Sequence, residues 1–253
     1  MGIMSSPQPP PESARPRRRV RAEILPPREL TSAQKVRMHG LMAEHFENVD
    51  RRRFLEDLDE KDWAVVLFDD AGGIQGFTTL ALLEIQEGGR RVLGFYSGDT
   101  VLAREYRGRS GWLSVWSRHV FRTAAQFSDC RAFWILLTAT HRTYRFLPAF
   151  FREFHPRPDA PIPPDWKRRL DAFVRLKFPE EYDPIRGVVA LREPTPVRRP
   201  EEAQSDVPLD DPYAQFFVQR NPGFLRSDFL ACITEIAPSN TTPLGRRVLE
   251  PAR

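Results

Sequence analysis

Residues 98–111 read GDTVLAREYRGRSG, and this stretch decides which fold the sequence predicts. It leads from a strand-like apolar segment, through a loop with Arg107 and Arg109, into a segment with helical periodicity. Gly108 and Gly111 let a ligand approach the backbone of this loop closely. A helix that begins here presents unpaired N–H groups and the positive end of its dipole, which together favour phosphate. The stretch therefore predicts an anion-binding turn between a strand and a helix.

Three strand-like segments precede this turn. They are Trp63–Phe68, Gln75–Gln86 and Arg91–Leu102, and glycine-containing turns at residues 69–73 and 88–89 separate them. Neighbouring strands joined by such tight turns pair antiparallel, whereas parallel strands need a long crossover. The sequence therefore predicts an antiparallel meander rather than alternating strands and helices.

Apolar periodicity predicts helices on both sides of the meander. The first begins near Leu30 with Thr31 or Ser32 as its N-cap, and the second spans Val49–Lys61 with Asp50 as its cap. The other predicted helices are Trp112–Gln126, His141–Phe154, Trp166–Phe178 and Tyr213–Arg220, and the other predicted strands are Ala132–Thr138, Val188–Leu191 and Phe229–Ile236. Along the chain we expect a disordered Pro- and Arg-rich tail over residues 1–25, a main domain over residues 26–192, and a linker with a C-terminal helix and strand over residues 193–253 that packs on the same domain.

The composition indicates a globular protein. Of 253 residues, 41% are hydrophobic and 28% are charged, and no apolar run approaches the roughly 20 residues of a membrane helix. The first residues lack the apolar run of a secretory signal, and Cys130 and Cys232 cannot form a disulfide scaffold or a four-ligand zinc site. We therefore expect a cytoplasmic protein with no metal and no membrane partner. The motifs of serine hydrolases, P-loop nucleotide hydrolases and zinc proteases are absent from the sequence.

The net charge of +4 is concentrated at the N-terminus. The first 23 residues contain five arginines and two glutamates among several prolines, so three of the four excess charges lie there. This tail is either a basic arm for a polyanion or an acidic partner, or a solvated terminus. We do not expect nucleic acid to be the main partner.

The order of these elements resembles that of the GCN5-related N-acetyltransferase (GNAT) superfamily. The resemblance covers Trp63–Phe154 and is centred on Gly98–Arg109, which is similar to the family's peYRGRGIG turn. It implies an α/β fold with a mixed, mostly antiparallel central sheet flanked by helices, here with a C-terminal extension. It also implies an N-acyltransferase whose donor is acyl-CoA or an acyl carrier protein thioester, and whose small-molecule amine acceptor attacks the thioester directly.

The resemblance assigns donor-binding residues as well. In the family the turn and the following helix hold the CoA pyrophosphate, and here that role falls on Arg107, Gly108, Arg109, Ser110 and Gly111. Val101, Leu102 and Ala103, at the end of the third strand, would offer backbone groups to the pantetheine amides in the manner of an added strand. The family's second small position corresponds to Trp112. A donor held mainly by its pantetheine arm depends least on this turn.

Three side chains are candidates for the reacting centre, namely Asp99, His141 and Tyr144. Asp99 is either a base or amine-binding carboxylate, or a turn residue that hydrogen-bonds the local backbone. His141 is either a proton donor or a polar helix cap, and Tyr144 is either an acid or a packing residue. The tyrosine that often protonates the leaving thiolate in the family corresponds to Phe150 or Phe151, which have no proton to donate.

Two functions of different classes follow. The first is N-acyl transfer, and the second is a GNAT-like protein that has lost this chemistry and binds an acyl group, a nucleotide or a protein. An open gap in the sheet beside Val101 would favour the first function. A gap filled by the protein's own side chains would favour the second.

Overall fold

The computed structural model of the protein describes residues 20–106 and 111–249. The strands are β1 Val20–Leu25, β2 Trp63–Asp69, β3 Ile74–Glu87, β4 Arg90–Leu102, β5 Arg131–Thr138, β6 Phe154–His155, β7 Tyr182–Asp183, β8 Val188–Val189 and β9 Phe229–Glu235. The helices are α1 Ser32–His45, α2 Arg51–Asp59, α3 Gly111–Ala125, α4 His141–Tyr144, α5 Phe146–Phe150, α6 Pro164–Lys177, α7 Pro200–Ser205, α8 Pro212–Arg220 and α9 Pro243–Leu249. The predicted caps of the first two helices are confirmed, since Thr31 accepts from the Gln34 N–H and Asp50 from the Arg53 N–H.

The strands form one sheet in the order β1-β2-β3-β4-β5-β9-β8-β7, and β6 also pairs with β9. In the described part of the chain, every pairing of these strands is antiparallel except that of β4 with β5. Helix α3 lies in the long crossover that a parallel pair requires. The sheet is therefore mixed, mostly antiparallel and flanked by helices, which confirms the predicted fold class.

Side-chain alternation gives the sheet two apolar faces. In β2, Val65 and Leu67 pack towards one face, and Ala64 and Val66 pack towards the other. Helices α3, α4, α5, α8 and α9 cover the first face, which we call the α3 face. Helices α1 and α2 cover one end of the second face, which we call the α2 face, and α6 covers its other end.

Strands β4 and β5 separate at a defined point. Their last paired residues are Ser97 and Leu136, and beyond them β4 continues along β3 while β5 pairs with β9. A bulge lies at this point, because Gly98 and Asp99 together oppose the single residue Thr79 of β3. We call the space between the two strands beyond these residues the β4–β5 gap.

The predicted disordered tail over residues 1–25 is wrong for its last six residues. Val20–Leu25 forms β1, which pairs antiparallel with β2. Apolar residues alternate with charged ones in this segment, which is the period of a strand, but the neighbouring arginines and prolines obscured the pattern. Residues 1–19 lie outside the described residues.

The predicted helix His141–Phe154 is divided in the structure. Helix α4 ends at Tyr144 and α5 begins at Phe146. Pro148 gives the physical reason, because its ring clashes with the carbonyl group four residues earlier and it has no N–H to donate. That carbonyl belongs to Tyr144, so the helix is interrupted there.

The chain after residue 193 supplies part of the sheet and runs along its edge. Strand β9 lies inside the sheet, with β5 on one side and with β6 and β8 on the other. The predicted linker contains helix α7 and is anchored to the end of α1, where the Glu47 N–H donates to the carbonyl of Pro196 at 2.8 Å. This anchoring carries α7 towards the carboxyl ends of β4 and β5.

Candidate active site at the gap in the sheet

Short polar side chains line the β4–β5 gap on the α3 face. The hydroxyl oxygens of Thr78 on β3 and Thr100 on β4 lie 2.7 Å apart, at hydrogen-bond distance. Ser97 accepts a hydrogen bond of 2.9 Å from the indole N–H of Trp134 on β5. These contacts fix the last paired position of the two strands, so the gap begins at a rigid point.

Aromatic side chains fill the gap on this face. Trp112 on α3 and Phe146 on α5 meet edge to face, and Trp112 is only 6% exposed. Together with Leu113 and Thr143 they leave a cavity of about 10 Å³, which holds at most one water molecule. The open gap that the resemblance implies is therefore closed on the α3 face by the protein's own side chains.

A buried lysine lies beside the bulge on the α2 face. The Lys61 side chain has no exposed surface, and its Nζ lies 2.5 Å from Oδ1 and 3.0 Å from the carbonyl oxygen of Asp57. The same Nζ lies 5.7 Å from the centre of the Tyr96 ring. A Cβ at Gly98 would lie 2.5 Å from Oγ1 of Thr79 and 2.9 Å from Cε of Lys61. Glycine therefore leaves the room that the lysine occupies.

Asp99 is partly buried next to this lysine. The pKa of its carboxyl group is raised from 3.8 to about 6. Burial is the largest cause, the negative charge of Asp57 adds to the rise, and the positive charge of Lys61 opposes it. Burial also raises the pKa of Tyr96 well above its usual value of 10, so this phenol stays protonated. A carboxylate whose pKa is about 6 is ionised at neutral pH and is a stronger base than an exposed aspartate.

The strand register decides which backbone groups of β4 face the gap. The carbonyl oxygen of Val101 points to β3, and the Ala103 N–H donates to the carbonyl of Gln75 at 2.7 Å. Because backbone groups alternate in direction along a strand of an antiparallel pair, those of Thr100 and Leu102 face the gap. Val101 and Ala103, predicted to offer backbone groups to the donor, use them within the sheet, and both side chains are buried under α1 and α2.

The structure has the arrangement that the family resemblance implies. Three antiparallel strands are followed by a helix and then by a strand that runs parallel to the third strand and separates from it. The protein has a divergent GNAT-type fold. Helices α1 and α2 before β2, and α4 after β5, complete the same order of elements.

Comparisons with known proteins find structures of the GNAT type that are similar to this chain, and they assign no role to any of its residues. No family model and no curated protein matches the sequence. A probable N-acyltransferase of unknown function from Enterococcus faecalis V583 is 16% identical with a TM-score of 0.40, over 54% of this chain and 33% of that chain. A GNAT family N-acetyltransferase from Escherichia coli in complex with CoA is 15% identical with a TM-score of 0.38, over 54% of this chain and 71% of that chain. The IAA acetyltransferase from Bacillus cereus ATCC 14579 is 10% identical with a TM-score of 0.37, over 86% of this chain and 99% of that chain.

His141 and Tyr144 lie on the α3 face of this GNAT-type fold, whereas Asp99 lies among the charges of the α2 face. The Tyr144 hydroxyl donates a hydrogen bond of 2.8 Å to the carbonyl of Pro156, and its ring is fully buried among phenylalanines of α8 and β6. His141 is buried at the start of α4, where burial and the Arg142 charge lower its pKa. The three candidates share no charged neighbour, so the structure does not bring them together in one cluster.

The basic turn is described only at its end. Gly111 is the first residue of α3, whereas Arg107, Gly108, Arg109 and Ser110 lie outside the described residues, so their role in holding a phosphate stays a prediction. Within residues 20–106 and 111–249, no three or more His, Cys, Asp and Glu side chains are grouped so as to hold a metal ion. Each helix in that part is too short or too polar to cross a membrane.

Three residues of the site were not predicted, namely Lys61, Thr78 and Thr100. Lys61 follows an amphipathic helix, where a lysine is ordinarily solvated, and no pattern indicates its burial. The other two depend on the register of β3 against β4. The bulge that sets this register shifts which residues face which way, and the sequence carries no local signal for it beyond the glycine at position 98.

Proposed function

We propose that the protein transfers an acyl group from a pantetheine thioester to a small amine. The observation that supports this most is the β4–β5 gap, because the backbone groups of Thr100 and Leu102 face a space that no described strand fills. A pantetheine arm carries two amide groups and can pair with such an edge as an added strand does. CoA and acyl carrier proteins both present this arm, so the observation supports acyl-CoA and acyl carrier protein equally as donors.

The gap supports a division of the two substrates between the faces of the sheet. The donor enters from the α3 face, where the arm displaces the rings of Trp112 and Phe146. The amine enters from the α2 face, where the carboxylate of Asp99 attracts a cationic amine. The thioester carbonyl then lies in the gap, where the two substrates meet.

Direct attack needs a proton acceptor close to the amine. The bound ammonium first gives up one proton to solvent and becomes a neutral amine. As its nitrogen bonds to the carbonyl carbon, Asp99 accepts a second proton from it and later returns that proton to solvent, and the C–S bond then breaks. The sulfur leaves as a thiolate and takes a proton from solvent, which balances the reaction. The positive charge of Lys61 opposes the rise in the pKa of Asp99, which reaches about 6.

A second function has its own supporting observation. Trp112 and Phe146 fill the gap, and Phe150 or Phe151 corresponds to the position where the family often has a tyrosine that protonates the thiolate. These features favour a GNAT-type protein that binds a ligand or a partner and transfers nothing.

Thiol release separates the two functions. The full chain is incubated with acetyl-, octanoyl- and palmitoyl-CoA, or with the same acyl groups on a carrier protein, together with a panel of amines. We expect amine-dependent release of free thiol with at least one donor. The Asp99→Asn variant should bind that donor as the wild type does and release thiol at least about tenfold more slowly. Asp70→Asn, in an exposed turn, is the matched control and should behave as the wild type.

Each other outcome has a definite meaning. If calorimetry detects donor binding but no amine causes the donor to release its thiol, the ligand-binding function is established instead. If no donor binds at all, the transferase function is overturned, and so is the binding of an acyl thioester as the second function.

A further inference from the structure

An acidic segment crosses the edge of the sheet where the β4–β5 gap opens. Residues 200–211 read PEEAQSDVPLDD and contain five acidic residues and no basic one. They include α7 and the loop that leads to α8, and we call them the acidic strap. Sequence analysis places them in a linker, and neither candidate function uses them.

Arginines on both sides of the gap hold the acidic strap. Arg104, two residues beyond the end of β4, makes an ion pair with Glu202. On the other side, on helix α4 after β5, Nη2 of Arg142 lies 2.5 Å from Oδ2 of Asp206.

A third ion pair lies further along the same side. Nε of Arg145, next to the end of α4, lies 2.8 Å from Oδ2 of Asp211, the residue that caps α8. All three contacts therefore join the strap to residues that follow β4 or β5.

The strand directions place these ion pairs at the mouth of the gap. Because β4 and β5 are parallel, their carboxyl ends lie at the same edge of the sheet. Arg104 stands after one strand, and Arg142 stands after the other. Glu202 lies on α7 and Asp206 is the C-cap of the same helix, four residues later, so one helical turn spans the two sides.

The strap is held weakly enough to be displaced. None of the residues of α7 is buried, and Val207 is the buried apolar residue of the strap. The side chains of Arg104, Arg142 and Arg145 remain about half exposed, at 48%, 51% and 51%. Exposed ion pairs contribute little to stability. A ligand with more charge than a carboxylate can therefore compete with the strap.

We infer that Arg104, Arg142 and Arg145 form a binding site for the phosphate groups of the donor, and that the acidic strap occupies this site until the donor displaces it. Arginine binds carboxylate and phosphate through the same donor geometry, and phosphate carries the greater charge. The inference rests on the proposed function for the identity of the donor. The strap then acts as an internal competitor, and it ties the two sides of the gap together while the donor is absent.

Binding of inorganic pyrophosphate tests the site without requiring any transfer. The full chain is titrated calorimetrically at low salt as wild type and as the double variant Glu202→Gln/Asp206→Asn. The variant loses two competing carboxylates, so we expect its affinity for pyrophosphate to rise at least about fivefold. Arg142→Gln/Arg145→Gln should lose affinity by a similar factor and should flatten the salt dependence of binding.

The matched control removes the same charge from the same segment. Glu201 and Asp210 are exposed residues of the strap, and within the described residues neither makes an ion pair. Glu201→Gln/Asp210→Asn should therefore bind pyrophosphate with nearly the wild-type affinity. Thermal unfolding of every variant verifies that each one is folded. The inference is overturned if Glu202→Gln/Asp206→Asn and Glu201→Gln/Asp210→Asn gain the same affinity for pyrophosphate. It is also overturned if Glu202→Gln/Asp206→Asn gains no affinity.

The same variants distinguish this inference from the proposed function. If Glu202→Gln/Asp206→Asn binds pyrophosphate more tightly but the protein transfers no acyl group, the phosphate site is supported and the transferase function is overturned. If the protein transfers acyl groups and the KM for the donor is the same in wild type and variant, the transferase function is supported. The inference that the strap competes with the donor is then overturned. Titration with CoA and with a phosphopantetheinylated carrier protein then identifies which donor carries the phosphate.

Discussion

The rings of Trp112 and Phe146 meet edge to face across the β4–β5 gap, with their centres 6.0 Å apart. Trp112 belongs to α3, which follows β4, and Phe146 belongs to α5, which follows β5. This contact therefore closes the gap on the α3 face, as the ion pairs of the acidic strap do at its mouth. A donor must separate both sets of residues before its arm reaches the edge of β4.

Removing the larger ring should open the gap. We expect Trp112→Ala to lower the free energy of unfolding by about 3–5 kcal/mol, because a buried aromatic side chain leaves a cavity. The same change should tighten the binding of CoA, since the arm no longer displaces an indole. Chemical denaturation and calorimetric titration measure the two effects. Phe146→Leu opens the same gap with a smaller loss of stability and should change binding in the same direction.

A tryptophan outside the gap provides the control for this prediction. Trp63 on β2 packs against His119 on α3, and its side chain does not line the gap. Trp63→Ala should lower stability without tightening CoA binding. Equal or weaker CoA binding by both Trp112→Ala and Phe146→Leu would contradict the idea that these rings block the donor.

The raised pKa of Asp99 predicts how stability depends on pH. The folded protein holds this proton up to pH about 6, and the unfolded chain releases it near pH 4. Between these values the folded state binds more protons than the unfolded state, so Asp99 lowers stability as the pH rises through this window. Asp99→Asn removes the effect and should be more stable than the wild type above pH 6, by at most about 3 kcal/mol.

Denaturation in urea at pH 4, 5, 6 and 7 measures this difference. The stabilities of Asp99→Asn and wild type should converge as the pH falls to 4, and Asp70→Asn should follow the wild type throughout. A difference that stays constant over the whole range would mean that the carboxyl group is not perturbed. In the transfer reaction, an acidic limb near pH 6 should be present in the wild type and absent from the residual activity of Asp99→Asn.

Lys61 should act as a positioning residue for Asp99. Its buried ammonium lowers the pKa of Asp99, so Lys61→Met should raise that pKa and move the acidic limb of the transfer rate to higher pH. The variant also leaves Asp57 without its partner, but that carboxylate is 42% exposed and water solvates it, so the loss of stability should be at most about 1 kcal/mol. Lys177→Met, whose partner Glu60 is 63% exposed, is the control and should cost at most about 1 kcal/mol. A pH profile that does not move in Lys61→Met would leave the lysine with a structural role only.

Tyr144 should behave as a packing residue. Its hydroxyl is committed to the Pro156 carbonyl, and burial raises its pKa far above the usual value, which makes it a poor acid. Tyr144→Phe should lose about 1 kcal/mol of stability, the value of one hydrogen bond. Its transfer rate at saturating substrate should equal that of the wild type. A large loss of rate at unchanged stability would return Tyr144 to the reacting centre.

The strands around the gap could be predicted because their signals are local. Trp63–Phe68, Arg91–Leu102 and Ala132–Thr138 are apolar runs bounded by turns or loops, and each lies in a strand of the structure. The candidate site could be predicted only in part. Asp99 stands beside the gap on the α2 face, whereas His141 and Tyr144 belong to α4 on the α3 face. The face on which Asp99 lies depends on the bulge in β4, which no local pattern predicts.

The amino-acid sequence by itself determined the antiparallel meander of β2, β3 and β4, the helices α1 and α2 before it and the strand β5 after it. Those features depend on periodicity and on turn residues, which act over a few neighbours along the chain. Only the tertiary structure decided that Gly98 and Asp99 form a bulge, that Lys61 is buried beside it, that Trp112 closes the gap and that the acidic strap crosses its mouth. Each of these depends on contacts between residues distant in sequence, where register and packing choose among partners that local patterns leave equivalent.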